Sequence, residues 1–192
     1  MFLKKLVLCS TFSLLSATAG MASAATVNYE YGQLLAGGYT PTEVFASLSV
    51  TSSDDNKTFS FVLNTFNLNS IFSNTGVFIG SDAGEANYNP NGSNLPTATI
   101  FGSGNGVTEV KAGAGGGPGG DYNFRYIFGK GENDRLTQNE TVSWTSVWAT
   151  AQTFDGALFA LHVQGLDALD TTDGSTSAWY TPSPVPVPAA LP

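Results

Sequence analysis

The chain contains a single residue that could act as a general base in nucleophilic catalysis of the serine-hydrolase type. His162 is the only histidine in the chain, and it falls in a predicted strand over residues 158–164. A Ser-His-Asp triad would require it, yet no Gly-x-Ser-x-Gly turn is present, since residues 102–106 (Gly-Ser-Gly-Asn-Gly) have a different spacing. One histidine also cannot form a multi-histidine zinc site. We therefore expect His162 to be a hydrogen-bonded structural residue.

Three aspartates form the best candidate metal site. Asp167, Asp170 and Asp173 are followed by Gly174. Calcium takes six to eight oxygen ligands, and spaced carboxylates on a tight turn can supply several of them. The spacing of three differs from the spacing of two in an EF-hand loop, so a solvated acidic turn is the alternative. Apart from calcium at this turn, no cofactor is expected.

Four glutamates could serve a hydrolase. Glycoside hydrolysis uses two carboxyl groups roughly 5–9 Å apart across a cleft. Glu30, Glu43, Glu109 and Glu140 all lie near the edges of predicted strands, but their spacing does not indicate which of them converge. A polysaccharide-active hydrolase is therefore kept as an alternative, and the expectation is that the protein is not an enzyme.

Aromatic side chains are numerous, with 13 Phe, 7 Tyr and 3 Trp. Rings of this kind can pack on sugar faces while polar neighbours hydrogen-bond to hydroxyls. Trp144, Trp148, Trp179 and Tyr180 are the candidates for carbohydrate contact. At strand spacing, however, such rings also fill the core of a β-sandwich.

The elements that must position these residues are β-strands. Period-two alternation dominates, for example in Tyr29 and Tyr31 against Asn28 and Glu30, and Gly/Asn/Asp/Ser turns separate the runs. The glycine-rich residues 102–106 and 113–120 open no predicted helix and are read as loops, not phosphate sites. The pattern predicts one all-β domain over residues 25–180, an antiparallel jelly-roll-like β-sandwich of about nine strands.

Charge and cysteine content narrow the partners. The 192-residue chain has a net charge of −8, which becomes more negative when Lys4 and Lys5 leave with the predicted signal peptide. An acidic protein repels phosphate backbones and anionic lipid surfaces, so nucleic acid is not expected as a partner. The one cysteine, Cys9, also lies in that signal, which leaves no disulfide or thiolate chemistry.

The N-terminus has the pattern of a secretory signal peptide over residues 1–24. Lys4 and Lys5 form its basic region, residues 6–15 are apolar, and Ala22-Ser23-Ala24 is a small-residue cleavage pattern that makes Ala25 the first mature residue. Residues 17–19 (Ala-Thr-Ala) offer a second cleavage site. The apolar run is well short of the ~20 residues that span a bilayer as a helix.

The other end, residues 181–192, is a Pro-rich linker that resembles the start of the PEP-CTERM sorting signal of Gram-negative bacteria. The matching residues are Pro186-Val187-Pro188-Ala189-Ala190, with Val187 in place of the namesake glutamate. In that family a transmembrane helix and a basic tail follow the motif, and an exosortase processes it. We expect this tail to be truncated here, so membrane contact would occur only through a helix missing from the sequence.

Strand segments in the body resemble that family's ectodomains as well: residues 44–50, 57–61, 76–80, 140–145, 159–165 and 177–180. The resemblance implies export to the cell surface or extracellular matrix of a Gram-negative bacterium, and association with exopolysaccharide in biofilm or floc. It implies no common activity. The expected function is thus a non-enzymatic matrix protein that contacts exopolysaccharide or matrix proteins, with a lectin-like carbohydrate-binding module as the alternative, calcium-assisted or not.

Overall fold

The strands of this chain are long enough to pair into one extensive sheet. The computed structural model describes residues 24–66, 78–86, 95–102, 107–112, 124–128, 136, 139–153, 159–166, 172–174 and 176–185. Among these residues there are ten strands and no helix. The strands are β1 (Thr26–Ala36), β2 (Ala46–Ser52), β3 (Thr58–Thr65), β4 (Phe78–Ala86), β5 (Ala98–Phe101), β6 (Val107–Ala112), β7 (Phe124–Phe128), β8 (Thr141–Val147), β9 (Phe159–Gln164) and β10 (Ser177–Pro184).

The pairing of these strands has jelly-roll character. Their order is β5-β8-β3-β2-β1-β10-β9-β4-β7-β6, and every pair is antiparallel. The pair β4·β7 is nested in sequence inside the pair β3·β8, and β5 and β6 flank β8 and β7 at the two ends of the sheet. Such nested pairing across two layers defines a jelly roll. The predicted all-β, jelly-roll-like sandwich is confirmed, with ten strands in place of about nine.

Aromatic rings pack between the two layers of the sandwich, with β3 and β8 in one layer and β7 in the other. The Tyr126 ring of β7 lies 5.5 Å from that of Phe61 on β3 and 5.0 Å from that of Trp144 on β8. Phe159 of β9 lies 5.4 Å from Tyr29 of β1. Because successive side chains of a strand alternate between its faces, the inward residues of β1, β2, β3 and β8 are buried while their neighbours face out.

The tip of the hairpin formed by β2 and β3 is polar. Asn56 adopts a positive φ of 53°, which asparagine tolerates in turns. The Asp55 carboxylate accepts hydrogen bonds from Ser53 Oγ at 2.6 Å and from the Lys57 backbone N–H at 3.1 Å. The bond from Ser53, followed by that from Lys57, lowers the pKa of Asp55. The local turn chemistry therefore fixes the register of the hairpin.

The last strand extends beyond the point that its sequence predicts. The Pro-rich segment was expected to begin after Tyr180, but β10 continues to Pro184 beside β1, and Val185 N–H donates to Asn28 O at 2.9 Å. Backbone N–H groups alternate in direction along a strand, so Pro182 and Pro184 lack a donor only on the side away from β1. On that side of β10 the pairing with β9 ends at Tyr180, so no neighbouring strand needs the N–H that each proline lacks.

The ends of the chain are mostly outside the described residues. The predicted signal peptide up to residue 23 and the motif residues Pro186, Val187 and Pro188 lie outside the described residues. The internal glycine-rich residues 113–120 lie outside them as well. Ala24 and Ala25 are described and exposed, and Ser52 N–H donates to Ala25 O at 2.9 Å, so the sheet begins beside the predicted cleavage site. In the described part of the chain no helix has the length and apolarity to cross a membrane.

Candidate functional site

The four aromatic residues proposed for carbohydrate contact are all buried. Trp144 and Trp148 lie in the main core with Tyr180, and the Trp144 ring is enclosed by Phe61, Tyr126 and Phe128. Tyr180 donates its hydroxyl hydrogen to Tyr39 O at 3.2 Å, and burial raises its pKa well above the ordinary value. The positions of these rings match the core alternative. A sugar could reach them only if the sandwich opened.

The remaining candidate, Trp179, stacks on His162. The two residues are cross-strand partners on β10 and β9, with ring centroids 4.2 Å apart and planes inclined by 6°. Both side chains are buried, each 9% exposed, on the opposite face of the sheet from the main core, together with Ala160. The structure therefore places His162 in a packing role against Trp179.

The predicted calcium turn is only partly described, because Asp167 and Asp170 lie outside the described residues. Asp173 lies against the β1–β2 connection: a side-chain carbon on Gly38 would overlap its carboxylate. Thr172 anchors the turn by donating its backbone N–H and its hydroxyl to Gly38 O, at 2.8 and 3.1 Å. Within the described ranges, no three His, Cys, Asp or Glu side chains group as metal ligands.

Two of the four glutamates share a surface depression. Glu30 and Glu43 both line a cleft of about 220 Å³ together with Gln33, Thr42 and Ser183. The other two do not line this cleft. Glu109 forms an ion pair with Lys111 on β6 (N–O distance 3.4 Å). Glu140, just before β8, accepts a hydrogen bond from Thr65 N–H at its carbonyl and donates its own N–H to Thr65 Oγ1. The structure thus brings one carboxylate pair to a common cleft.

The most extended polar feature is the outward face of the sheet formed by β1, β2, β3 and β8. We call it the hydroxyl face. Cross-strand register arranges its side chains in rows, since residues at matching positions of neighbouring strands share one face. The rows are Thr26-Thr51-Ser60-Thr145, Asn28-Ser49-Val62-Ser143 and Glu30-Ser47-Asn64-Thr141.

Side-chain hydrogen bonds within the rows hold these polar groups in place. Ser49 Oγ donates to Asn28 Oδ1 at 2.6 Å, and Thr141 Oγ1 donates to Asn64 Oδ1 at 2.7 Å. The hydroxyls of Thr26 and Thr51 lie 2.8 Å apart, and those of Ser60 and Thr145 lie 3.1 Å apart. Each hydroxyl carries one donor and two acceptor sites, so bonded pairs keep capacity for an external partner.

Charge is nearly absent from the hydroxyl face. Glu30, at one end of a row, is its only ionisable residue, although the chain contains 15 Asp and Glu. The face therefore presents mainly neutral hydrogen-bonding groups. Apart from Glu30, these residues were not among the site residues predicted from the sequence. The signal was present in the Ser, Thr and Asn residues that alternate with apolar ones in β2, β3 and β8.

The chain matches no protein-family model, no curated protein and no solved structure.

Proposed function

We propose that this protein is an exported, non-enzymatic domain of the cell surface or extracellular matrix, and that it associates with exopolysaccharide through the hydroxyl face. The observation that carries the proposal is the nearly uncharged array of hydroxyl and amide groups fixed across four strands. Polysaccharides present the complementary chemistry, which is repeated hydroxyl groups that both donate and accept hydrogen bonds.

The shape and stiffness of this surface also favour a polymer. Neighbouring strands are about 4.8 Å apart, so four strands present polar groups over roughly 14 Å. The Ser49–Asn28 and Thr141–Asn64 bonds reduce the rotamer freedom that binding would otherwise remove. Many weak, evenly spaced contacts suit adhesion to a long chain better than capture of one small molecule.

Export is supported by the sequence pattern and by where the fold starts. The predicted cleavage after Ala24 would leave Ala25, whose carbonyl accepts the first hydrogen bond from Ser52, as the first mature residue. Cleavage there would leave the sheet complete. The PEP-CTERM-like residues 186–190 follow directly after β10, which would place an exosortase motif at the end of the folded domain. Exosortase is accordingly the proposed processing partner of a chain with the full tail.

Retention on immobilised polysaccharides tests the binding proposal. The panel is cellulose, xylan, dextran and alginate, and the test variant is S47D/S49D, which adds two carboxylates to the centre of the hydroxyl face. We expect the original chain to be retained on at least one polymer and the variant to bind about tenfold more weakly, because charges placed there lose solvation without gaining a partner. The matched control, A149D/A151D, adds the same charge on an exposed loop and should bind unchanged.

Equal retention of S47D/S49D and the original chain would contradict the role of the hydroxyl face. Failure of the original chain to bind any polymer in the panel would contradict exopolysaccharide association itself. Thermal unfolding of each variant shows whether a loss of binding comes from loss of fold.

A second candidate function is glycoside hydrolysis, and the cleft shared by Glu30 and Glu43 is the observation that favours it. Two carboxyl groups across one cleft are the minimum that this chemistry needs. Incubation with the same polymers, followed by measurement of new reducing ends, tests it. Turnover that disappears in both Glu30→Gln and Glu43→Gln would establish an enzyme and overturn the non-enzymatic proposal.

A further inference from the structure

The tip of the hairpin formed by β2 and β3 contains an acceptor motif for asparagine-linked glycosylation. Residues 54–58 read Asp-Asp-Asn-Lys-Thr, so Asn56 is followed two residues later by Thr58. Asn-x-Ser/Thr is the pattern whose asparagine side chain accepts a glycan on the surface of exported proteins. The bacterial form of the motif adds an Asp or Glu two residues before the asparagine, and Asp54 occupies that position. The hairpin tip therefore fills every required position of the longer motif.

Two other Asn-x-Ser/Thr patterns occur in the chain, at Asn91 and Asn139, and neither has the acidic residue. The residue two places earlier is Asn89 in the first and Thr137 in the second. Asn91 lies outside the described residues. Asn139 is exposed and has a φ of 62°, close to the φ of 53° at Asn56. Asn139 is thus an internal comparison, because it shares the conformation and exposure of Asn56 and lacks the carboxylate.

The fold places the motif where an enzyme can reach it. Asp54, Asp55 and Asn56 are all exposed at the hairpin tip. Asp55 is the carboxylate that the turn uses, since it accepts hydrogen bonds from Ser53 and Lys57. Turn chemistry therefore explains Asp55, and it explains an asparagine at a positive φ. The carboxylate of Asp54 takes no part in the hydrogen bonds described for this turn, so the turn does not explain its presence.

A cleft beside Asn56 has room for an attached sugar. Its volume is about 240 Å³, and Ser52, Gln152 and Thr153 line it together with Asn56. These polar side chains can donate and accept hydrogen bonds with sugar hydroxyls. The backbone N–H of Gln152 donates to Asn56 O at 2.7 Å, which holds the hairpin tip beside the cleft. The first sugar of a glycan on Asn56 would therefore have hydrogen-bonding partners on the protein.

We propose that Asn56 is an asparagine-linked glycosylation site, modified by a bacterial oligosaccharyltransferase that uses a polyprenyl-pyrophosphate-linked oligosaccharide. In this transfer Asn56 Nδ2 attacks the anomeric carbon of the first sugar and forms an N-glycosidic C–N bond. The bond between that carbon and the pyrophosphate oxygen breaks, and the lipid pyrophosphate leaves with the electron pair. Nδ2 gives up one proton, and nothing is oxidised or reduced.

The flanking residues identify the acceptor to the transferase. The Asp54 carboxylate is suited to a charge-assisted hydrogen bond with an arginine of the enzyme, and the Thr58 hydroxyl supplies the second recognition group. In the cell this modification rests on the proposed export of the protein, and it goes beyond the proposed association with exopolysaccharide.

Glycosylation of the purified, folded chain in vitro tests the site. The reaction contains a bacterial oligosaccharyltransferase, its divalent cation and a polyprenyl-pyrophosphate-linked oligosaccharide, and intact mass with peptide mapping gives the result. We expect the mass of the original chain to rise by one glycan, located on Asn56. Asn56→Asp should stay unmodified while keeping the turn, since aspartate also adopts a positive φ. Asp54→Ala should lose most of the modification.

The matched control is Asn139→Asp, which makes the same change at an exposed asparagine of the same conformation outside the longer motif. It should be modified like the original chain. Thermal unfolding of each variant shows whether a loss of modification comes from loss of fold. A synthetic peptide of residues 52–60 presents the motif without the fold, and a standard acceptor peptide shows that the enzyme is active.

Modification of the peptide but not of the folded chain, or of neither, would overturn the assignment of Asn56. A glycan on Asn139 in place of Asn56 would overturn it as well. Equal modification of Asp54→Ala and the original chain would overturn the role of Asp54. Because the assay requires neither export nor polysaccharide binding, its failure is distinguishable from failure of the proposed function.

Discussion

Trp144 stacks on Phe61, its cross-strand partner, with ring centroids 5.0 Å apart and planes inclined by 10°. Tyr126 and Phe128 approach the same indole from the opposite layer, at 5.0 and 5.5 Å. This cluster joins the two halves of the sandwich. These aromatic side chains are buried between the layers, so the surface that this part of the sheet offers to a partner is the hydroxyl face.

Trp144→Ala should therefore cost stability. We expect the free energy of unfolding to fall by about 3–5 kcal/mol, because the change removes buried aromatic surface and leaves a cavity between the layers. Urea denaturation measures this loss. In the same experiment, Leu35→Ala on the exposed part of β1 should change stability by less than about 0.5 kcal/mol. A Trp144→Ala protein as stable as the original would contradict the core position.

Alkaline pH should destabilise the fold through two buried tyrosines. Burial raises the pKa of Tyr126 and of Tyr180 well above the ordinary 10.0. The folded state holds these protons more tightly, so the stability they contribute is complete below about pH 10 and is lost as the pH rises beyond it. Each tyrosine should cost about 1.4 kcal/mol per pH unit above the unfolded pKa.

Tyrosinate absorbance and circular dichroism, followed together, measure this effect. Ionisation of these two tyrosines should coincide with unfolding, and Tyr126→Phe should lose stability less steeply with pH. If all tyrosines ionised near pH 10 while the fold stayed intact, the burial of Tyr126 and Tyr180 would be contradicted.

Three hydroxyl groups form a hydrogen-bonded series between the two layers, and removing different members of it should cost different amounts of stability. Tyr126 donates its hydroxyl hydrogen to Ser146 Oγ at 2.8 Å, and Ser146 Oγ lies 2.9 Å from Thr99 Oγ1. Ser146→Ala leaves the buried Tyr126 hydroxyl without this acceptor and should cost about 1–3 kcal/mol. Tyr126→Phe leaves Ser146 bonded to Thr99 and should cost about 1 kcal/mol. Denaturation of both variants checks the order, and the reverse order would refute the assigned direction of the bond.

Gly37, in the connection between β1 and β2, should tolerate substitution poorly. It has a φ of +115°, and a side-chain carbon on it would come within 2.7 Å of Ala178 Cβ. Gly37→Ala should destabilise by about 3 kcal/mol, since backbone strain and overpacking each cost about 1–3 kcal/mol. Gly174→Ala is the control, because φ is +70° there and nothing lies within 4 Å, so only the strain applies. Equal melting temperatures for the two variants would count against this packing.

Much of the fold was predictable because the alternation of apolar and polar residues in the sequence matches the alternation of buried and exposed side chains in the strands. The alternation of Tyr29 and Tyr31 with Asn28 and Glu30 identifies the inward face of β1, and the turn residues around Asp55 identify the hairpin. Two elements were harder to predict. The first is β4, whose run Gly-Ser-Asp-Ala-Gly-Glu-Ala has weak strand propensity but pairs with β9. The second is the end of β10, because Pro182 and Pro184 fit a strand only when the neighbouring strand lies on one particular side of them, here the side of β1.

The candidate site was less predictable for a related reason. A residue such as Trp144 or Ser143 is either a core residue or a surface residue, depending on which face of its strand packs against the other layer. Contacts with strands distant in sequence determine which face that is. Ser146 shows this most clearly: its position in the core is explained by Tyr126, on a strand of the opposite layer.

The most direct test of the central claim is a nuclear magnetic resonance titration of the isotope-labelled protein with a neutral soluble polysaccharide fragment. Amide shifts should concentrate on β1, β2, β3 and β8 along the hydroxyl face. Shifts that cluster instead at the cleft of Glu30 and Glu43, or no shift at any fragment concentration, would contradict it.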